Sequence, residues 1–295
     1  MSPTSRRPSA AGHYSTLVPE TREAGVASKE APRGSLEPVT IRHVTGWAEY
    51  QACVALQQEV WGMGFADTVP AAILKVSQRL GGVTAGAFDA SGRLIGFVFG
   101  ITGVERGQLV HWSDMLGVLS EARDHGLGRR LKAFQRDAVR ALGVSVIYWT
   151  YDPLVARNAY LNLVQFGTEV TEYVPNFYGA QTSSALHQGL GTDRFVVAWH
   201  VGDSPRPPRP AVPPLDSPEI PVINGTSRPS TTAARVRVAI PLQIDQIQRT
   251  SLAQATQWRA ETRPAFQWAL SQGYRIVGFQ RDDAQGRGLY ELQRG

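Results

Sequence analysis

HWSDMLGVLSEARDHGLG, residues 111–128, is the stretch on which the reading of this sequence turns. An alternating segment ends near Leu119, a short polar turn follows, and Arg123-Asp124-His125-Gly126-Leu127-Gly128 opens an amphipathic helix. A strand that passes through a glycine-bearing turn into a helix start is a cradle for phosphate groups. The first helical turn offers backbone N–H groups without intrahelical partners, together with the positive end of the helix dipole. Glycines at 126 and 128 remove side chains, so the backbone can come close to an anion.

Downstream, the helix is expected to run to about Leu142. Leu127, Leu131, Phe134, Ala138 and Leu142 form its apolar stripe, and Arg129, Arg130, Lys132, Arg136 and Arg140 its wet side. The near-continuous apolar run from Val144 to Thr150 reads as a strand inside a sheet. A helix over 154–166 ends at Gly167, and strands over 168–173 and 195–201 complete the unit. Upstream, strands are expected at 39–44, 83–88, 94–101 and 109–119. Helices are expected from about Thr45 to Trp61 and from Pro70 or Ala71 to Leu80. Residues 1–37 lack an apolar period and read as a disordered tail. Residues 203–234 read as a proline-rich linker. A second pattern then begins: a strand at 235–240, helix over 242–271 with a break near Pro264, and strands at 274–279 and 288–292.

The chain has 295 residues and a net charge of +5, spread thinly and carried almost wholly by arginine, since Lys29, Lys75 and Lys132 are the only lysines. A nucleic-acid binder calls for a clustered basic stripe or a known module, and neither is present, so an anionic small molecule fits the mild basicity at least as well. No apolar window has the length of a membrane span, and Arg6-Arg7 lacks the apolar segment of an export signal. A cytoplasmic protein with neither nucleic acid nor membrane as partner is expected. Cys53, the single cysteine, excludes an internal disulfide and a multi-cysteine metal site; it reads as a small buried side chain, and no metal is expected.

Arg123-x-x-Gly126-x-Gly128, after a strand ending in Leu116-Gly117-Val118, is similar to the acyl-coenzyme A binding motif Q/R-x-x-G-x-G/A of the GNAT superfamily of N-acetyltransferases. The order of elements from Val39 to Val201 resembles that of the superfamily. The runs MLGVLSEARDHGLGRRLK, DPLVARNAYLNLVQFG, NFYG and DRFVVAWHV resemble a bacterial subgroup, which the tail segment WRAETRPAFQWALSQGYRIVGF also resembles. The resemblance implies an α/β fold with a mixed, mostly antiparallel central sheet flanked by helices. This is the GNAT acyl-CoA N-acyltransferase fold over residues 38–202, with a small αβ accessory segment at 235–295.

The resemblance also implies acetyl-CoA, or another acyl-CoA, as co-substrate and a small-molecule amine as acceptor, with direct attack of the amine. The amides of Arg123, Asp124, His125, Gly126, Leu127, Gly128 and Arg129 would hold the pyrophosphate. The pantetheine arm would lie where a bulged strand splays from its neighbour, against the backbone of Leu116, Gly117 and Val118; Asn158 and Asn162 are further contacts. Asp114 is the candidate base, with His111 as a second. Trp112, Asp114, Leu116 and Val118 share one strand face unless the bulge intervenes. Leu163 stands where the superfamily carries its acid tyrosine, which leaves Tyr160, one turn earlier, as the candidate acid, while Tyr178 is placed to line the acceptor pocket. That leucine keeps open other acyl-CoA chemistry, such as decarboxylation or O-acyl transfer, and the long head and linker keep open a non-catalytic acyl-CoA-binding protein. In the tail, Arg259 and Arg263 share a helix face and fit either an anionic ligand or ion pairs within the protein. The tail itself reads as a degenerate half of the same fold packed on the first. Oligomeric state is left open.

Overall fold

In the computed structural model, residues 38–179, 189–202, 210–225 and 232–295 are described; the tail expected at 1–37 lies outside them. Seven strands form one sheet: β1 (Thr40–His43), β2 (Val83–Phe88), β3 (Leu94–Glu105), β4 (Gln108–Val118), β5 (Val146–Tyr151), β6 (Glu169–Val174) and β7 (Arg194–His200), in the order β1-β2-β3-β4-β5-β7-β6. Every neighbouring pair is antiparallel except β4 and β5. The parallel pair requires a crossover, and α3 (Leu127–Arg140) supplies it. This is the mixed, mostly antiparallel α/β sheet expected from the sequence.

Helices α1 (Gly46–Trp61) and α2 (Ala71–Arg79) precede β2, and α4 follows β5 as a turn of α-helix at Ala156–Ala159 that widens into π-helix at Tyr160–Phe166. Gly167 closes it at φ +70, a left-handed cap that suits glycine. Tight packing of α1 accounts for Gly117 in β4. A Cβ there would stand 3.0 Å from Leu56 and 3.2 Å from Trp61, both on α1. That close approach, rather than a bulge at this position, is what the glycine serves.

The tail forms a second sheet of β8 (Arg235–Pro241), β10 (Arg287–Arg294) and β9 (Tyr274–Asp282), ordered β8-β10-β9, with α5 (Ile244–Thr250) and α6 (Leu252–Ser271) before β9. The helical break falls at Ser251, not near Pro264. Ser251 is extended, and its side chain caps α6 by accepting from the Gln254 amide at 3.3 Å. Pro264 lies within α6, where both it and Ala260, whose carbonyl loses a partner, are exposed to water. Phe266 and Tyr290 bring the tail onto Phe195 of β7, with ring centroids at 4.9 and 5.5 Å. Residues Leu36–Gly295 make one compact unit. The described part of the proline-rich stretch lies along β8. The Ile223 amide donates to the Arg237 carbonyl, and the buried Arg237 guanidinium donates to the carbonyls of Leu215 and Pro214 at 2.7 and 2.6 Å.

Candidate functional site

The turn after β4 is built by two left-handed residues close together, Asp124 at φ +64 and Gly126 at φ +72. Gly126 is the N-cap of α3, and no side chain caps the helix there, so its leading amides stay open to an anion. Gly128 differs from Gly126. Its φ is not left-handed, and a Cβ would stand 3.6 Å from Leu116, an ordinary contact. Neither backbone strain nor crowding demands glycine at 128; what it provides is bare backbone beside the turn. Arg123 holds the turn to the end of β4, its Nε donating to the Val118 carbonyl at 3.1 Å. Buried Leu127 and Leu131 anchor α3 to the sheet, each worth about 1.5–3 kcal/mol of apolar burial. An open cavity of about 580 Å³ runs from Arg129 and Arg130 along α3 past Arg136 and Arg140, walled by Phe166 and Trp199.

The apolar stripe of α3 follows the expected one through Leu127, Leu131, Phe134 and Ala138 and departs from it at two residues. Leu142 is 49% exposed, whereas Lys132, assigned to the wet side, is 3% exposed beneath the sheet. Its Nζ donates to Ser113 Oγ at 2.7 Å and lies 3.7 Å from the centre of the Trp149 ring. Burial pushes this amine well below the usual lysine range.

Strands β4 and β5 pair only at Val110–Val146, His111–Ile147 and Trp112–Tyr148. Beyond that point β4 stays with β3, and β5 stays with β7, so a gap opens between them. At the same place the β3–β4 register slips: Gly100 faces Ser113 while Phe99 faces Met115, which leaves Asp114 as the extra residue of a bulge. The bulge separates residues expected on one face. His111 and Ser113 face α3, through Gln135 and Lys132. Past the bulge Leu116 and Val118 face α3 instead, and Gly117 faces α1. Trp112 and Asp114 thus share a face with α1, opposite Leu116 and Val118. The gap joins two compartments, one roofed by α3 and α4 with the glycine turn at its head, the other holding Asp114.

On the α3 side, His111 is wholly buried with both ring nitrogens engaged, Nε2 by the Gln135 amide at 3.0 Å and Nδ1 by the Thr102 hydroxyl at 2.9 Å. Burial and the Lys132 charge push it down to about 3, which weakens its hold on a proton, and both ring nitrogens are already occupied. Asn162 is also buried, and its Oδ1 accepts from the Trp149 indole at 2.9 Å. Its Oδ1 is thereby committed to Trp149. Asn158 is half-buried on α4, Leu163 is buried, and Tyr160 is 39% exposed on α4, outside the hydrogen bonds that tie the Asp114 compartment together.

On the other side, Asp114 is open to solvent at the floor of a cleft. The protein packed around it displaces water and raises its carboxyl above the usual aspartate value; Asp67 adds to the rise, and a hydrogen bond from the Trp112 indole opposes it. Asp67 lies between α1 and α2 and carried no motif of its own in the sequence. The loop after β6 closes the cleft. Phe177 stacks on Trp112 with centroids 6.2 Å apart, and the Tyr178 hydroxyl meets Thr150 Oγ1 of β5 at 3.2 Å. Arg194 lies 5.3 Å from the centre of the Tyr178 ring.

That loop is fastened by the tail. Arg263 donates to Asp193 at 2.6 and 2.9 Å and to Asn176 at 3.2 Å. Arg259 donates to both oxygens of Asp152 at 2.6 and 2.8 Å and to the Leu190 carbonyl at 3.2 Å. Burial opposes the charge on Asp193, but the Arg263 bond, the Tyr173 hydroxyl and the Arg259 charge outweigh it and hold its carboxyl below the ordinary value. Of the two readings of the arginine pair, the ion pairs within the protein are the ones present. Among the described residues, no group of three His, Cys, Asp or Glu side chains is placed to hold a metal ion, and no helix is long and apolar enough to cross a membrane.

Over rather more than half its length the chain matches solved GNAT-type acetyltransferases. One is the ribosomal-protein-S18-alanine N-acetyltransferase of Escherichia coli, at 16% identity, covering 57% of this chain and 97% of that one with a TM-score of 0.44. A second is the acetyltransferase of GNAT family from Streptococcus pneumoniae, at 15% identity, 55% and 98% coverage and a TM-score of 0.44. A third is aminoglycoside 6'-acetyltransferase type Ii, at 19% identity, 57% and 99% coverage and a TM-score of 0.44. At such identities the likeness is one of chain trace. No family model matches the sequence, and no curated protein matches it.

Proposed function

We propose that this protein is an acyl-coenzyme A-dependent N-acyltransferase acting on a small-molecule amine. The observation that carries the reading is the coincidence, at one gap, of parted parallel strands, an uncapped glycine-opened helix start at its head, and a bulged aspartate on its far side. Coenzyme A fits these residues. Its pyrophosphate would be held by the amides from Arg123 to Arg129, with Gly126 and Gly128 as bare backbone, and its pantetheine arm would run between β4 and β5 along Leu116 and Val118. Arg129 and Arg130 begin the basic groove suited to the phosphorylated adenosine end. When bound, the acyl thioester supplies an activated carbonyl.

The chain's residues do the rest. Asp67 and Asp114 draw a cationic amine between the aromatic walls of Trp112 and Phe177. Asp114 takes the amine's proton, its raised carboxyl matching a base that works nearer neutral pH. Tyr178 is the hydroxyl nearest this chemistry, oriented by Thr150; it takes the place that Leu163 leaves vacant and that Tyr160 does not fill.

Calorimetry with coenzyme A tests the reading, with Gly126→Glu as the control: wild type binds and the variant does not, because a carboxylate side chain occupies the anion's place and φ +72 strains any residue but glycine. Undiminished binding by the variant overturns the phosphate turn. Thiol release with a panel of amines then tests transfer. Asp114→Asn is expected to lower kcat/KM by about 10²–10⁴-fold. In wild type, kcat/KM should fall on acidification at a pH above the ordinary aspartate value, because the base is active only when deprotonated.

A further inference from the structure

The acyl-coenzyme A reading leaves Lys132 unexplained, although it is the buried amine nearest the point where β4 and β5 part. The last paired residues are Trp112 and Tyr148. The next residue on each strand is Ser113 and Trp149, and Lys132 touches both, by a 2.7 Å hydrogen bond to one and by lying 3.7 Å from the ring centre of the other. The amine therefore bridges the vertex of the gap from the α3 side. Along β4 the vertex is the far end from the phosphate turn, five residues below Val118 or about 17 Å of strand. That is where the acyl end of a cofactor headed by the turn would come to rest.

The chemistry of the amine is incomplete. A lysine ammonium has three donors. Here Ser113 Oγ takes one, the indole face offers a weak cation–π contact, and among the described residues no carboxylate pairs with it. A buried cation without an anion is strongly unfavourable, and this chain shows elsewhere how it satisfies one: Arg237 meets Glu291 at 2.7 Å, and Arg259 meets Asp152 at 2.6 Å. A surface role is closed to Lys132, and an apolar side chain of its length would pack the same space without the penalty.

Resting on the acyl-coenzyme A reading, we propose that Lys132 is the specificity residue for the acyl group, pairing with the terminal carboxylate of a short dicarboxylic acyl chain such as malonyl or succinyl. An incoming carboxylate favours the protonated amine, which takes a proton from solvent on binding and pairs with the carboxylate, with Ser113 as a second donor. A plain acetyl group leaves the amine unpartnered and gains nothing from it.

Calorimetry on the full chain with coenzyme A, acetyl-coenzyme A, malonyl-coenzyme A and succinyl-coenzyme A tests this without relying on turnover. The expected result is that malonyl- or succinyl-coenzyme A binds about tenfold tighter than acetyl-coenzyme A, the scale of a buried charge-assisted bond. Lys132→Met should abolish that ratio, and Lys132→Gln serves the same purpose if the methionine variant does not fold. Equal binding of the dicarboxylic and acetyl thioesters by wild type overturns the proposal while leaving the acyl-coenzyme A reading intact. A preference that survives in the variants removes it from Lys132. Failure of coenzyme A itself to bind overturns both.

Discussion

Arg259 and Lys132 are both long cationic side chains withdrawn from water, and their surroundings are opposite. Arg259 grips both oxygens of Asp152, stands 3.9 Å from Asp193 and donates to a backbone carbonyl. Lys132 has one hydroxyl and the face of a ring. The contrast separates two uses of a buried charge. A cation paired with carboxylates of the chain is a joint: Arg259 reaches from α6 to the end of β5, and Arg263 beside it reaches the start of β7 and the loop that carries Phe177 and Tyr178. A basic side chain that no described carboxylate pairs with is one that a ligand anion can complete, and Lys132 stands at the gap where the proposed acyl end would lie.

The largest expected effect comes from breaking the joint. Arg259→Met leaves Asp152 buried without its cation and should lower stability by about 3–5 kcal/mol, read from urea unfolding. Adding Asp152→Asn should recover part of the loss, because the amide oxygen still accepts from the Leu154 amide, a bond Asp152 makes at 2.8 Å. If Arg259→Met unfolds within about 1 kcal/mol of wild type, the tail does not depend on this pair. A smaller effect is expected at Arg263, whose side chain is 34% exposed: Arg263→Met should lower stability by about 1–2 kcal/mol. Its sharper signature is kinetic. With Asn176 released, the acceptor cleft loosens, so the amine's KM should rise while affinity for coenzyme A holds. Arg263→Lys should restore only part of this, since it keeps the charge but not the two-pronged contact with Asp193. An unchanged KM in both variants would detach the tail from acceptor binding.

Sequence legibility divides along the same line. The glycine turn after β4 was legible because local chemistry marks it: the left-handed φ at Gly126 favours glycine, and the strand before it and stripe after it repeat at fixed periods. The order of elements along the chain was legible too, and with it the mixed, mostly antiparallel sheet that the resemblance implied. What escaped was decided by contacts distant in the chain. Lys132 falls on the polar side of the α3 pattern, and only the partners Ser113 and Trp149, on two different strands, show that this side is roofed by the sheet at that one turn. The bulge at Asp114 split the face expected for Trp112 through Val118, and alternation alone carries no mark of a register slip. Asp67 and the Arg259–Asp152 pair are separated in sequence from what they act on, the latter by 107 residues, so no local period could join them.

The smallest effect, and the one of opposite sign, is expected at Lys132. Replacing Arg259 by methionine removes a partner from an acid, whereas Lys132→Met removes a buried amine that no described carboxylate pairs with, so the protein should gain about 1 kcal/mol or more at neutral pH. The pH dependence fixes the cause. Burial lowers the amine's affinity for protons in the folded chain, so below the ordinary lysine value of 10.5 the unfolded chain binds the extra proton. Wild-type stability should therefore rise with pH from neutrality toward that value, and the advantage of Lys132→Met should shrink over the same interval. Urea unfolding of both proteins across that range checks it. A methionine variant that is less stable at every pH would mean that the Ser113 bond and the Trp149 contact already satisfy the amine. Lys132 would then be a joint like Arg259 rather than a side chain for a ligand anion to complete.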